Sequence, residues 1–179
     1  MRKLLLGLFL FSFSITGISQ EANAPGRLQQ KYFIDYAMGP YLLIHHIQYD
    51  ALMVNGARLG FNFGASNRFN FTIEYLAGNN SDIYGKVGMT HNANLGVAMY
   101  LKENSKHFDP FCSVGTGFLE FKEFTNDNYG ISWHVGFGSS LQVTKRFSGL
   151  LEARYFNTGL LDVDGYNQLV VLWGARFGF

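Results

Sequence analysis

Across 179 residues, 14 basic and 13 acidic side chains leave a formal net charge of +1, so bulk charge points to no nucleic-acid partner. Aromatics make up 17% of the chain and glycine fills 21 positions, while only 15% of residues are charged against about 25% in water-soluble domains. That imbalance points to lipid as the partner. Cys112 stands alone, which excludes an intramolecular disulfide and leaves it reading as a small apolar residue.

The first segment, Met1 to Gln20, places Arg2 and Lys3 before an apolar run from Leu4 to about Ile15 and then the small residues Gly17 and Ser19. This is the three-part layout of a secretory signal, and the apolar run is shorter than the ~20 residues a spanning helix needs. Cleavage after Ser19 fits, and Ala22-Asn23-Ala24 offers a second small-x-small site as late as residue 24. With no cysteine after the run, a lipoprotein anchor is not expected. Losing Arg2 and Lys3 leaves 12 basic against 13 acidic residues, a mature balance of −1. Residues 20–31, with Pro25 and Gly26, form a short lead-in expected in the periplasm, and residues 32–179 form one domain.

From Tyr32 onward the pattern has period two. It predicts eight strands, Tyr32–Leu42, Met53–Gly64, Arg68–Ala77, Val87–Leu101, His107–Phe121, Gly130–Val143, Arg146–Phe156 and Asn167–Phe179. Most reach the 9–11 residues a tilted strand needs to cross a bilayer, whereas strands of soluble proteins cluster near 5–6. Helical spanning is excluded, because the mature chain has no uninterrupted apolar stretch of that length.

Each strand has one greasy wall. In the third, Phe69, Phe71, Ile73, Tyr75 and Ala77 oppose Asn70, Thr72 and Glu74. In the sixth, Ile131, Trp133, Val135, Phe137, Leu141 and Val143 oppose Ser132, His134, Gly136, Gly138, Ser140 and Gln142. The last repeats it, with Leu169, Val171, Trp173, Ala175, Phe177 and Phe179 on one side. A soluble ligand-carrying barrel turns its apolar wall inward, and a membrane barrel turns it outward. Asp35, Arg58, Glu74, Glu152, Arg154 and Arg176 share the other wall, a poor lining for an apolar ligand, so the apolar wall is expected to face lipid. The predicted fold is therefore all-β, an eight-stranded antiparallel up-and-down transmembrane barrel.

Connections alternate in length. Ala65-Ser66-Asn67, Lys102 to Lys106 and Thr144-Lys145 are short, while Leu43–Leu52, Gly78–Lys86, Lys122–Tyr129 and Asn157–Tyr166 are longer. Short turns inside and longer loops outside is the outer-membrane pattern, with both termini in the periplasm. The predicted outer loops carry Asp50, Asp82, Glu123, Asp127, Asp162 and Asp164 against Lys86 and Lys122. The turns carry Arg68, Lys102, Lys106, Lys145 and Arg146 against Glu103. Acidic loops beside phosphate-bearing lipid would need bridging divalent cations, and the plainer reading is solvated turn residues.

These features resemble the small OmpA-like and OmpX-like outer-membrane β-barrel family over Tyr32 to Phe179. The carriers are Gly-Ala-Arg-Leu-Gly-Phe at 56–61, Pro-Phe-Cys-Ser-Val-Gly-Thr-Gly-Phe at 110–118, and the closing Trp173-Gly-Ala-Arg-Phe-Gly-Phe179. The last looks like the signal read by the family's β-barrel assembly machinery, which implies that machinery as a partner through Trp173, Phe177 and Phe179. The resemblance also implies a cell outer-membrane location in a Gram-negative-type bacterium, contact with outer-membrane lipids, and a lumenal ion-pair network.

Asp35, Arg58, Glu74, Glu152, Arg154 and Arg176 sum to zero charge, and Arg58 to Glu74 with Arg154 or Arg176 to Glu152 are the expected pairs. An eight-stranded bore is barely wide enough for side chains, so a plug is expected over a channel. His45, His46 and Asp50 could be read as metal ligands, but neighbouring histidines on an extended segment point apart, and neither metal nor cofactor is expected. His91 and His134 stand singly in strands, and Ser132 with His134 lacks an identifiable acid partner for catalysis. The stretch Arg154-Tyr155-Phe156-Asn157-Thr158-Gly159, then Asn167 and Gly174, looks like the end of an outer-membrane lipid A deacylase in which His-x-Ser precedes Asn-x-Gly. Here Arg154 and Phe156 hold the matching positions, and neither serves as base or nucleophile. The expectation is a non-catalytic barrel with a structural or surface-interaction role, its outer loops meeting any surface ligand. The alternatives are a lipid-A-modifying enzyme and a narrow pore for small solutes.

Overall fold

The computed structural model describes residues 31–43, 52–64, 67–81, 87–101, 108–122, 127–160 and 166–179. The signal segment, the lead-in to residue 30, and His45, His46, Asp50, Asp82, Lys86, Glu123, Asp162 and Asp164 lie outside them. Eight strands account for nearly all of the rest: β1 Tyr32–Leu43, β2 Leu52–Phe63, β3 Phe69–Ser81, β4 Val87–Tyr100, β5 Phe108–Lys122, β6 Asp127–Gln142, β7 Phe147–Leu160 and β8 Tyr166–Gly178. Every neighbour in sequence is an antiparallel neighbour in space, and β1 pairs with β8 to close the barrel. No edge strand is left, which removes the unpaired backbone groups that lipid cannot hydrogen-bond.

Several strands outrun the sequence expectation. β3 continues to Ser81 rather than Ala77, and β7 to Leu160 rather than Phe156. The apolar alternation lapses there, at Asn79 and Asn157, yet the ladder continues through Asn79↔Met89 and Trp133↔Asn157. Backbone pairing needs no apolar side chain, so the sheet projects past the height at which the wall must be greasy.

Following one inward row around the barrel gives its stagger. The path Gln168, Phe156, His134, Gly115, Gly96, Thr72, Gly60, Phe33, Gly178 returns to β8 ten residues from its start. Strands must therefore tilt steeply, within the typical range of about 35–45°, and side chains on opposite strands interleave down the axis. Tyr32 and Phe179 bond reciprocally at the closing seam, N to O 3.0 Å and 2.9 Å. That seam marks the turn end of the barrel, which also holds the β2–β3 connection, where Gly64 and Asn67 take φ of 82° and 50°, and the β6–β7 turn. In the latter, Thr144 Oγ1 accepts from the backbone N–H of Phe147 at 3.1 Å.

The wall is inverted relative to a soluble barrel. Ile73 is 56% exposed and its neighbour Glu74 5%; Trp133 and Phe177 face out while Arg176 is buried. Aromatics girdle both rims of this apolar band. At the turn end Tyr32 stacks with Phe179 and Phe63 with Phe69, and Phe61 meets Phe71 at a tilt of 39°, the centroids 5.5–6.1 Å apart. Near the opposite loop end lie Trp133 with Tyr155 and Phe118 with Tyr129. Tyr155 hydroxyl donates to Asn167 Oδ1 at 2.7 Å, the polar-tipped chemistry of a membrane–water boundary. No helix of the described residues is long and apolar enough to cross a membrane.

Candidate functional site: a layered lumen

Because Cβ atoms alternate across a strand, one residue in two enters the lumen, and the stagger sorts these into layers. All six charged residues singled out from the sequence lie in the middle layer, buried. Arg58 of β2 is the hub. It gives Nε and Nη2 to Glu74 Oε1 at 3.1 and 2.9 Å, Nη2 to Glu152 Oε2 at 2.9 Å, and places Nη1 3.5 Å from Asp35 Oδ2. Arg154 of β7 completes the set, with Nη1 on Glu74 Oε2 and Nη2 on Glu152 Oε2 at 2.7 Å.

Arg58 with Glu74 is the expected pair, and of the two arginines offered for Glu152 it is Arg154 that takes it; Arg176 goes elsewhere. It grips Asp35 through two parallel bonds, Nε to Oδ1 at 2.7 Å and Nη2 to Oδ2 at 2.8 Å, and not Glu152. Register explains this, since Asp35 and Arg176 are direct partners across the closing seam, which the linear sequence hides. The fork geometry of guanidinium on carboxylate makes it the most directional contact of the layer. Every carboxylate meets two guanidinium groups, so three positive and three negative charges cancel within one desolvated layer.

Neutral residues finish the layer, and sequence reading overlooked them. Ser113 Oγ donates to Glu152 Oε1 at 2.7 Å, and Arg176 Nη1 reaches the Tyr100 hydroxyl. The Arg176 guanidinium also lies 3.8 Å from the Phe33 ring centre. Period two already puts Phe33, Tyr100 and Ser113 on the inner wall; what was missing was their height. Toward the turn end, Ala98, Tyr100, Phe111 and Leu150 pack together and close the bore beneath the charges.

Above the charges sits His134. Its ring lies 4.9 Å from that of Phe156 and over Gly115, where an added Cβ would come 2.3 Å from His134 Cε1. Glycine is required there by the close approach of the ring and of the Leu95 carbonyl oxygen, 2.5 Å from the same added carbon, and Gly115 reads as a slot rather than a bend. Ser132 Oγ directs its proton at Asn92 and Asn94 Oδ1, at 3.4 and 3.5 Å, which ties it to amides and not to a base. Arg154 and Phe156 both point into the lumen. Among the described residues no group of three His, Cys, Asp or Glu side chains could hold a metal ion. Cys112 is exposed on the outer wall, and Trp173, Phe177 and Phe179 all lie on that wall along the last strand.

This architecture is shared. Over 83% of the chain and 97% of the other, it superposes on Neisserial surface protein A with a TM-score of 0.69 at 13% identity. The N-terminal β-barrel domain of Pseudomonas aeruginosa OprF gives 0.54 at 13% identity, over 84% of this chain and 98% of that one. Outer membrane protein OprG of the same organism gives 0.51 at 11%, over 84% and 96%. The fold is that of small outer-membrane barrels. No family model matches the chain, and no curated protein matches it.

Proposed function

We propose that the chain is a non-catalytic integral protein of the bacterial outer membrane, exported through the periplasm, with a sealed lumen and a structural or surface-contact role carried by its outer loops. The observation that carries this reading is Arg58, whose guanidinium meets Asp35, Glu74 and Glu152 from three other strands and so occupies the axis of the bore. A conducting path would have to part these pairs, each desolvated, and leave buried charge uncompensated. The narrow-pore reading is thereby disfavoured. The apolar outer wall and its two aromatic girdles support outer-membrane lipids as surroundings. The alternation ending in Trp173, Phe177 and Phe179 supports the β-barrel assembly machinery as the folding partner.

The lipid-A-modifying alternative finds no support at the positions that resemble a deacylase. Arg154 is committed to Glu74 and Glu152, and Phe156 packs on His134. The deciding experiment has two arms. Planar bilayers with the purified barrel should show no unitary conductance, and lipid A from cells lacking or overproducing the protein should have one mass profile. Discrete current steps would overturn the sealed lumen, and an altered acyl pattern would overturn the non-catalytic reading.

A further inference from the structure

The turn-end edge of the outer wall gathers charge of one sign. Arg146 immediately precedes β7 and its carbonyl accepts from the Gly178 N–H at 2.8 Å, while Tyr32 and Phe179 bond reciprocally across the seam, so the start of β7, the end of β8 and the start of β1 lie side by side. Phe179 thus stands between Lys145 and Arg146 on one side and Lys31 on the other, and all three cations are exposed. Next to them on the outer wall are Tyr32, Phe147, Phe177 and Phe179, each 41–58% exposed, with Phe147 and Phe177 direct partners across β7–β8. Lys31 Nζ is held 5.5 Å from the Tyr32 ring centre, where the apolar wall meets the charge. Among the described residues the acid at this end is Asp109, which is buried inside the barrel. With the carboxylate of Phe179 counted, the patch carries three positive charges against one. At the loop-end edge of the same wall the charged residue among those described is Glu120, so the positive sign belongs to this end and not to the wall as a whole.

We propose that this patch, Lys31, Lys145 and Arg146 above the rings of Tyr32, Phe147, Phe177 and Phe179, is a docking site for an anionic phospholipid of the periplasmic leaflet. The occupant must satisfy two surfaces at once. A soluble anion would meet the cations and leave four rings uncovered. A zwitterionic lipid would cover the rings but bring a cation of its own to a positive rim. An amphiphile whose net negative charge sits at the head of its tails matches both, its phosphate among the cations and its upper chains on the rings. Each cation is exposed and therefore weak alone, so the preference comes from three acting on one phosphate, and salt screens it. Arg68, on the β2–β3 connection, is half-buried and gives Nε to the Tyr100 carbonyl at 3.2 Å, and the site does not draw on it. The proposal rests on the reading of the apolar wall as lipid-facing and of the turns as periplasmic, and adds to it which lipid this edge selects.

The test uses the full barrel in phosphatidylcholine vesicles, titrated with brominated phosphatidylglycerol or brominated phosphatidylcholine, whose chains quench nearby tryptophan. Trp133→Phe leaves Trp173, on β8 with the patch at its end, as reporter, and Trp173→Phe leaves Trp133, near the loop end, as control. At Trp173 the brominated phosphatidylglycerol should bind about tenfold more strongly than the brominated phosphatidylcholine, and within about twofold of it in ~0.5 M salt. At Trp133 the two should bind alike. Lys31→Gln with Lys145→Gln and Arg146→Gln should abolish the preference at Trp173 while brominated phosphatidylcholine quenches as before, the sign of a folded, inserted barrel. Arg146→Gln alone should lower the preference about threefold, and Arg146→Lys should keep most of it. Equal binding of the two lipids at Trp173, the same preference at both tryptophans, or a preference that survives the removal of charge would overturn the site. Failure of either brominated lipid to quench either tryptophan would instead overturn the lipid-facing wall, and this proposal with it.

Discussion

Arg58 and Glu152 lie 94 residues apart in sequence, on β2 and β7, and meet at 2.9 Å on the barrel axis. They are not register partners: Arg58 faces Glu74 across β2–β3, while Glu152 faces Gly138 and Leu172. Their contact bridges the lumen itself, so it ties opposite walls together where the sheet's own hydrogen bonds cannot.

Arg58→Ala is expected to cost about 3–5 kcal/mol, because it strips one guanidinium from three buried carboxylates. Denaturant unfolding in lipid vesicles, followed by the fluorescence of Trp133 and Trp173, reads this directly. Arg58→Lys keeps the charge but loses the fork, and should fall between the wild type and Arg58→Ala. A loss below ~1 kcal/mol for Arg58→Ala would show that the layer is hydrated and the seal incomplete.

Gly115→Ala should destabilise by about 1–3 kcal/mol through collision with the His134 ring, whose Cε1 would lie 2.3 Å from the new carbon, and with the Leu95 carbonyl oxygen at 2.5 Å. His134→Ala removes the ring's share of that collision and leaves the Leu95 carbonyl's. The double variant should therefore be more stable than the sum of the single losses allows, a coupling that equilibrium unfolding in a double-mutant cycle measures.

Val114 projects from the middle of β5 into the apolar band and is 56% exposed. Val114→Arg is expected to cost about 2–4 kcal/mol in a bilayer, the depth-dependent price of a cation on the lipid face. Asn157→Arg, at the loop-end rim where Asn157 already hydrogen-bonds Asn167, should cost ~1 kcal/mol or less. Equal losses at the two sites would contradict the assignment of the band.

Phe179→Ala removes the ring stacked 6.1 Å from Tyr32 but leaves the backbone pair at the seam. In vitro the loss should be about 1 kcal/mol, that of one aromatic pair. In cells, the fraction of protein reaching the outer membrane should fall further than this accounts for, as fractionation and protease protection would show. Equal losses in the two settings would remove the assembly role assigned to the last strand.

The sequence by itself determined the strands, their faces and the sense of the barrel. Period two is a local property: Ile73 beside Glu74 and Trp133 beside His134 already say which side each residue takes, and charge on one wall says that wall cannot meet lipid. It also placed Asp35, Arg58, Glu74, Glu152, Arg154 and Arg176 in one compartment. It offered Arg58 to Glu74 as well, but only the tertiary structure decided which arginine takes Glu152 and which takes Asp35. Partnership in a lumen depends on height along the axis, which is set by the ten-residue stagger accumulated around the closed sheet and not by any single strand. That is why Arg176 belongs to Asp35 rather than Glu152, why Tyr100 and Ser113 join the charges, and why Phe156 and Val170 pack with Tyr41, Val54 and Leu76 in a separate apolar cluster.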